Sequence, residues 1–218
     1  NLSFSYNSSK RVFDNANLIL KKGETVGILG ESGSGKSTFV NILTGLMTPT
    51  NTEAKILVDE KSIYRNLPSW QKQIGYIPQN LYFIDDSIVS NIAFGILDED
   101  IDMKKIKMVL KQCDLEDFVN TLPKNLNTVI GENGINLSGG QQQRLGLARA
   151  LYFDPEILIL DESTSALDID TEKKVMSTIE KLRGKKTIII ISHRNSTMEK
   201  VDKVYLIKKG DLIFKKTL

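Results

Sequence analysis

One cysteine, Cys113, occurs in 218 residues. That excludes an internal disulfide and any zinc site built from paired thiolates, and it fits a reducing compartment. Cys113 itself reads as a small buried hydrophobe. Long hydrophobic runs are also missing. The most apolar stretches, Ile157 to Leu160 and Ile188 to Ile191, are strand-sized, well short of the roughly 18 to 20 residues of a membrane-crossing helix. No charge sign dominates, with 29 Lys plus Arg against 27 Asp plus Glu, so there is no broad basic field and no nucleic-acid partner is expected, although composition alone forbids none. The chain carries no signal-peptide pattern and no initiator Met. It opens on Asn1, Leu2 and Ser3 in mid-pattern and is expected to be a piece of something longer. What is present, 40% hydrophobic and 26% charged residues, is the composition of a globular domain and excludes disorder and fibrous structure.

Apolar runs alternate with helical periodicity, the βαβ rhythm of an α/β fold with a mainly parallel sheet. Thr25 to Leu29 is a buried strand, followed by a Gly-rich turn and a helix from about Lys36 to Leu46. Further strands are predicted from Ile56 to Val58, Ile74 to Ile77, Ile157 to Leu160 and Thr187 to Ile191, with late ones near Val204 to Ile207 and Leu212 to Phe214. Between about Ser87 and Asn127 the pattern changes to short helical segments, one of them running from Asp102, its N-cap, to Gln112. The expected organisation is one domain over residues 1–218, with an α/β core over about 1–86 and 128–218 and a helical sub-domain over about 87–152.

Three motifs carry chemistry. The first is Gly30-Glu31-Ser32-Gly33-Ser34-Gly35-Lys36-Ser37, a GxxxxGKS string between a strand and a helix. Its glycines let the backbone N–H groups of Gly33, Ser34, Gly35 and the helix start, on to Thr38, curl around a triphosphate, with the helix dipole in support. Lys36 would reach the outer phosphates and the Ser37 hydroxyl would ligate Mg2+. The second is the apolar run from Ile157 to Leu160 ending in Asp161 and Glu162. Side chains alternate along a strand, so the adjacent acids can take different jobs at the sheet's carboxyl edge. Asp161 would hold the Mg2+ shell, and Glu162 would polarise the attacking water as general base. The third is Leu137-Ser138-Gly139-Gly140-Gln141, where Ser138 and Gln141 have capping-box spacing. That is a helix start able to face an anion, and beside a phosphate loop it suggests a phosphate held from two sides.

With the phosphate loop before the Ser138 segment and the Asp161–Glu162 strand end after it, these motifs resemble the ATPase domain of an ATP-binding cassette (ABC) protein over essentially the whole chain. The resemblance implies a P-loop NTPase core with an inserted helical sub-domain, and ATP and Mg2+ as ligands. It implies further roles: Gln79, after Ile77 and Pro78, as the Q-loop residue that senses Mg2+ and the γ-phosphate; Ser165 to Asp168 as the D-loop, with Asp168 linking two sites; and His193 as the switch histidine at the γ-phosphate. Tyr6 resembles the aromatic that stacks on adenine. Phe4 and Tyr6 share one strand face, so both can instead be core aromatics.

In this family two domains associate head to tail, each ATP lying between one Lys36 loop and the partner's Ser138, Gly140 and Gln141 helix start. A homodimer is expected because both halves of the site match the pattern. The run Thr128-Val129-Ile130-Gly131-Glu132-Asn133-Gly134 and the run from Asn91 to Gly95 resemble exporters. In exporters such stretches, with Leu81 to Ile84, sit near the coupling helices of a transmembrane domain, although Tyr82 and Phe83 can equally be core. The resemblance therefore implies an exporter or flippase motor at the cytoplasmic face of the inner membrane, fused to its own transmembrane domain. The whole sequence is similar to the cassettes of lipid-linked oligosaccharide flippases. An importer ATPase subunit is the alternative. A DNA-repair or chromosome-organising ATPase head would need a long coiled coil between Gln79 and Ser138, and that interval has no sustained heptads. A ribosome-acting factor would need two cassettes, and a small-molecule kinase would leave the Ser138 segment unexplained.

Overall fold

A computed structural model describes the chain except residues 8–10, 135, 163–168, 195 and 218, and except the side chains of 133, 169–170, 196 and 216–217. In chain order its first elements are β1 (Leu2–Ser5), β2 (Arg11–Ala16), β3 (Thr25–Leu29), α1 (Lys36–Leu43), β4 (Leu57–Val58), β5 (Lys61–Ser62), α2 (Leu67–Gln71) and β6 (Ile74–Ile77). The middle of the chain is helical: α3 (Ile88–Ile92), α4 (Met103–Gln112), α5 (Glu116–Thr121) and α6 (Gly139–Tyr152). Then come β7 (Ile157–Asp161), α7 (Ile169–Glu180), β8 (Thr187–Ser192), β9 (Lys203–Lys208) and β10 (Asp211–Thr217). These divide into two compact units, one of residues 1–74, 156–162 and 183–218, the other of 75–155 and 163–182.

The first unit is built on a sheet whose strands run in the order β10, β9, β3, β8, β7. β3 pairs in parallel with both β8 and β9, and β7 pairs in parallel with β8. β10 is the antiparallel edge on β9. At the outer side of β7 the Ile157 N–H donates to the Gln73 carbonyl at 3.0 Å, where the chain enters β6. Strands covered on both faces read as continuous apolar runs, and Val26, Ile28, Leu158, Ile159 and Ile188 to Ile191 are buried accordingly. Because β3, β7 and β8 run the same way, the residues following each of them emerge at one edge of the sheet.

Around that sheet, β1 and β2 form a short antiparallel pair with Phe4 opposite Phe13, both buried in the core with Phe39, Val40 and Ile42 of α1. β4 and β5 form a second small antiparallel pair. The helix expected to reach Leu46 stops at Leu43. Thr44 caps it and Gly45 follows with φ 76°, the left-handed conformation that ends helices and that glycine adopts at no steric cost. The Trp70 indole N–H then donates to the Leu43 carbonyl at 2.8 Å, satisfying one of the orphan acceptors of that helix end.

The second unit is helical. Asp102 caps α4 as its sequence implies, its carboxylate accepting from the Lys104 and Lys105 N–H groups. Cys113 at the end of α4 is fully buried, and burial pushes its thiol pKa far up, with Asp114 adding to the effect. The unit is wider than the 87–152 range read from periodicity, because it takes in the chain from Gly75 and the helix α7. Asp114 accounts for α7: its carboxylate accepts from Lys181 Nζ at 2.9 Å and from the Thr178 hydroxyl at 3.3 Å. The Asp114 carbonyl takes Arg144 Nη1 of α6 at 2.6 Å. Among the described residues no helix is long and apolar enough to cross a membrane.

Candidate functional site

In the first unit, the turn after β3 carries the phosphate-loop residues into α1. Gly33 and Gly35 have φ 76° and 110°, and a Cβ on Gly35 would come within 2.7 Å of Val12 Cγ1. Both conformation and space therefore require glycine at position 35. α1 begins at Gly35 with no side chain capping it and no acidic residue in its first turn. The Ser34 hydroxyl is buried and has no hydrogen-bond partner among the described residues. An uncapped helix start beside an orphaned hydroxyl is a polar cradle lacking its complement, and an anionic group supplies one.

Lys36 is buried at the first turn of α1, and its Nζ donates to the carbonyls of Gly30 at 2.9 Å and Glu31 at 3.0 Å. Ser37 is exposed at the same helix start. Thr38 is buried, its hydroxyl 2.9 Å from the Tyr6 hydroxyl. Asp161 ends β7 and is buried. Glu162 follows with φ 46°, a conformation uncommon for a non-glycine residue and characteristic of functional turns. Its backbone is held there by the N–H bond to the Ile191 carbonyl at 2.9 Å. One Glu162 oxygen lies 3.1 Å from Lys36 Nζ and the other 3.6 Å from His193 Nδ1. His193 follows β8 and leaves about half of its side chain exposed. Among the described residues no group of three or more His, Cys, Asp or Glu could by itself hold a metal ion. A cation at Ser37 and Asp161 would thus take most of its ligands from phosphate oxygens and water, as Mg2+ in nucleotide sites does.

Tyr6 departs from the shared-face reading. β1 ends at Ser5, so Phe4 is buried at 7% exposure while Tyr6 is 52% exposed, the two rings meeting edge to face at 5.1 Å. Tyr6 therefore offers its ring to solvent, with its hydroxyl tied to Thr38 on the helix that begins at the phosphate loop.

Gln79, Ser138, Gly140 and Gln141 belong to the second unit. Gln79 is exposed in the turn after β6. Ser138 and Gln141 form the reciprocal capping box that their spacing implies: the Ser138 N–H donates to Gln141 Oε1 at 2.8 Å, and the Gln141 N–H to Ser138 Oγ at 3.3 Å. Gly140 has no room for a side chain, since a Cβ would lie 2.1 Å from Thr171 Cγ2 on α7. Tyr82 is exposed and Phe83 is fully buried, so of that pair only Phe83 is a core aromatic. Asp168, with the rest of the proposed D-loop, lies outside the described residues.

Two features escape a reading of the motifs one at a time. The Lys36–Glu162 ion pair joins residues from different motifs, and only the parallel order of β3 and β7 brings them together. Thr171 carries no local signal at all, and its place against Gly140 comes from helix packing.

The chain is 40% identical over 215 residues to an ATP-dependent lipid A-core flippase of Pseudoalteromonas translucida, covering 98% of this chain and 37% of that protein. It is 37% identical over 215 residues to an alpha-hemolysin translocation ATP-binding protein of Escherichia coli, covering 98% of this chain and 30% of that protein. The chain thus spans about a third of the length of the curated relatives it matches. Among solved structures, a bacterial Atm1-family ABC exporter with ATP bound matches with a TM-score of 0.87 at 33% identity, covering 97% of this chain and 37% of that one. The family model described as ABC transporter matches residues 13–165, a span that holds the phosphate loop, the capped Ser138 helix start and the Asp161–Glu162 strand end. The chain belongs to the ABC transporter family.

Proposed function

We propose that this chain is the ATP-binding and ATP-hydrolysing motor domain of an ABC exporter or flippase, driving translocation by ATP-dependent head-to-tail pairing of two copies. The observation that carries the reading is the meeting of Lys36, Glu162 and His193 at one sheet edge, beside an uncapped helix start and an orphaned Ser34 hydroxyl.

In this reading the N–H groups from Gly33 to Thr38 cradle the phosphates, and Lys36 exchanges its backbone carbonyls for β- and γ-phosphate oxygens. Tyr6 stacks on the adenine. Glu162 accepts a proton from water as the water oxygen bonds to the γ-phosphorus and the bond to the ADP oxygen breaks. His193 contacts the γ-phosphate from the Glu162 side. Ser37 and Asp161, with Gln79, would hold Mg2+, which neutralises charge on the phosphates when bound. The Ser138, Gly140 and Gln141 helix start closes the site of a second, identical copy, and Asp168 links the two sites. ATP favours the closed pair because it touches both copies, and hydrolysis removes that preference.

The chain's own transmembrane domain would be the second partner, engaged through coupling helices at the cytoplasmic face of the inner membrane. The candidate cargo is a lipid-linked oligosaccharide. A lipid-borne cargo is supported by the relatives that are lipid A-core flippases. Two measurements test the proposal. Glu162→Gln should form a stable dimer in MgATP on size exclusion, and a variant that stays monomeric with MgATP bound contradicts the pairing. An antibody to this domain should detect a membrane-embedded polypeptide far heavier than 24.4 kDa, whereas a salt-released band near that mass contradicts fusion to a transmembrane domain.

A further inference from the structure

Along α6, two positions hold the loop that follows Gln79. At Gly146 the helix has no side chain and Leu81 fills the space, since a Cβ there would lie 2.6 Å from Leu81 Cδ2. Glycine weakens a helix relative to alanine, so its place opposite Leu81 marks a close approach of loop to helix. Nearly one turn further on, Arg149 spreads its guanidinium over the same loop. Its Nη1 donates to the Tyr82 carbonyl at 2.7 Å, its Nε to the Asn91 carbonyl at 2.7 Å and its Nη2 to Asn91 Oδ1 at 3.1 Å. The guanidinium also lies over two rings, 4.7 Å from the Phe83 centroid and 5.4 Å from that of Phe94.

Asn91 completes the arrangement from α3. It is fully buried, and the same Oδ1 accepts the Ile84 N–H at 3.0 Å. Its Nδ2 donates to the carbonyls of Ile84, Asp86 and Ser87 at 3.0, 3.3 and 3.0 Å. From Leu81 to Ser87 the loop is thus fastened on one side to α6 and α3. Tyr82 in this loop and Phe94 just after α3 are both exposed. The rigid, forked, multi-donor guanidinium is what permits one side chain to bridge two backbone segments and stack on rings at once. Nothing in the phosphate chemistry uses Arg149, yet it stands on the helix whose first residues are the Ser138 cap and Gly140.

We propose that Arg149 is a positioning residue that locks the 81–87 loop to α6, so that the Ser138 end of that helix and the exposed Tyr82 and Phe94 surface move as one body. The proposal rests on the reading of the Ser138 helix start as nucleotide-facing. It makes Arg149 the link through which nucleotide at one end of α6 is felt at the loop.

The test is amide hydrogen exchange of segments 81–87 and 139–146 in the intact chain in lipid nanodiscs, with and without MgATP, alongside MgATP affinity on the same samples. In the wild type, MgATP is expected to slow exchange in both segments. Arg149→Lys keeps the charge and the stem but not the fork. It should leave MgATP affinity and the slowing at 139–146 unchanged while the MgATP-dependent slowing at 81–87 shrinks by about threefold or more. Arg149→Ala should remove that response. Should Arg149→Ala unfold because it takes the guanidinium away from the Tyr82 and Asn91 carbonyls, Arg149→Lys decides alone. A full MgATP response at 81–87 in Arg149→Lys overturns the proposal. So does a parallel fall of affinity and of both responses, which marks a merely structural role. A wild-type chain that binds MgATP without slowing at 139–146 overturns instead the reading of the Ser138 helix start.

Discussion

The Lys36 ammonium lies 3.1 Å from Glu162 Oε1 while donating to the Gly30 and Glu31 carbonyls. Both side chains are largely shielded, at 8% and 15% exposure, so the pairing offsets part of the cost of burying each charge. In the proposed reading, a phosphate brought to Lys36 would compete with Glu162 for the same ammonium and release the carboxylate toward water. Lys36→Ala should therefore weaken MgATP binding by about 2–5 kcal/mol, the usual cost of truncating one partner of a buried charge pair. Glu162→Gln should bind MgATP at least as tightly as the wild type and hydrolyse it about 10²- to 10⁴-fold more slowly. Fluorescent-nucleotide titration and phosphate release measure the two effects, and a Glu162→Gln rate near wild type removes the general-base role.

Tyr6 exposes its ring and hydrogen-bonds through its hydroxyl to Thr38. If the ring stacks on adenine, Tyr6→Ala should lose about 1–3 kcal/mol of ATP affinity and leave inorganic triphosphate binding unchanged. Tyr6→Phe keeps the ring and should remain close to wild type. Calorimetric titration with both ligands separates stacking from any effect on the phosphate loop, and an unchanged ATP affinity in Tyr6→Ala refutes the adenine contact.

Gly140 faces Thr171 so closely that an added Cβ would lie 2.1 Å from Thr171 Cγ2 but 3.5 Å from Thr171 Cβ. Overpacking of this kind costs about 1–3 kcal/mol. Gly140→Ala should be destabilised by that amount in chemical denaturation, and Thr171→Ala should restore most of it in the double variant. Additive losses in the cycle would mean that the two helices do not meet there.

Cys113 is fully buried and its thiol pKa is displaced upward by burial first and by Asp114 second. The thiolate is the reactive form, so iodoacetamide should label the native chain only through unfolding and should label it at once in urea. The folded thiol holds its proton more tightly than the unfolded one. Its contribution to stability is therefore complete below the unfolded thiol's pKa of about 8.5 and is lost as pH rises beyond that value. Rapid labelling of the folded chain at neutral pH would contradict the burial.

What could be read from the residues was short in range. The Asp102 cap, the Ser138 and Gln141 box and the strand from Thr25 to Leu29 depend on neighbours a few positions apart, and all three stand as their spacing implies. Boundaries that hang on one residue are less legible: the helix stops at Leu43, before Gly45, rather than at Leu46, and β1 stops at Ser5, which leaves Tyr6 exposed while Phe4 is core. The inclusion of α7 in the helical unit could not be seen in periodicity, because it comes from contacts between residues far apart in the chain, among them Asp114 with Lys181 and Thr178 and Gly140 with Thr171.

By itself the sequence determined the α/β rhythm, the phosphate-loop glycines, the two carboxylates at a strand end and the capped helix start. Each is a matter of local propensity or of a few residues at set spacing. Only the tertiary structure decided that Lys36, Glu162 and His193 share one edge, that Thr171 closes on Gly140, and that Arg149 grips the loop after Gln79. These contacts join residues far apart in the chain, and their geometry follows from strand order and helix packing, which no local pattern encodes.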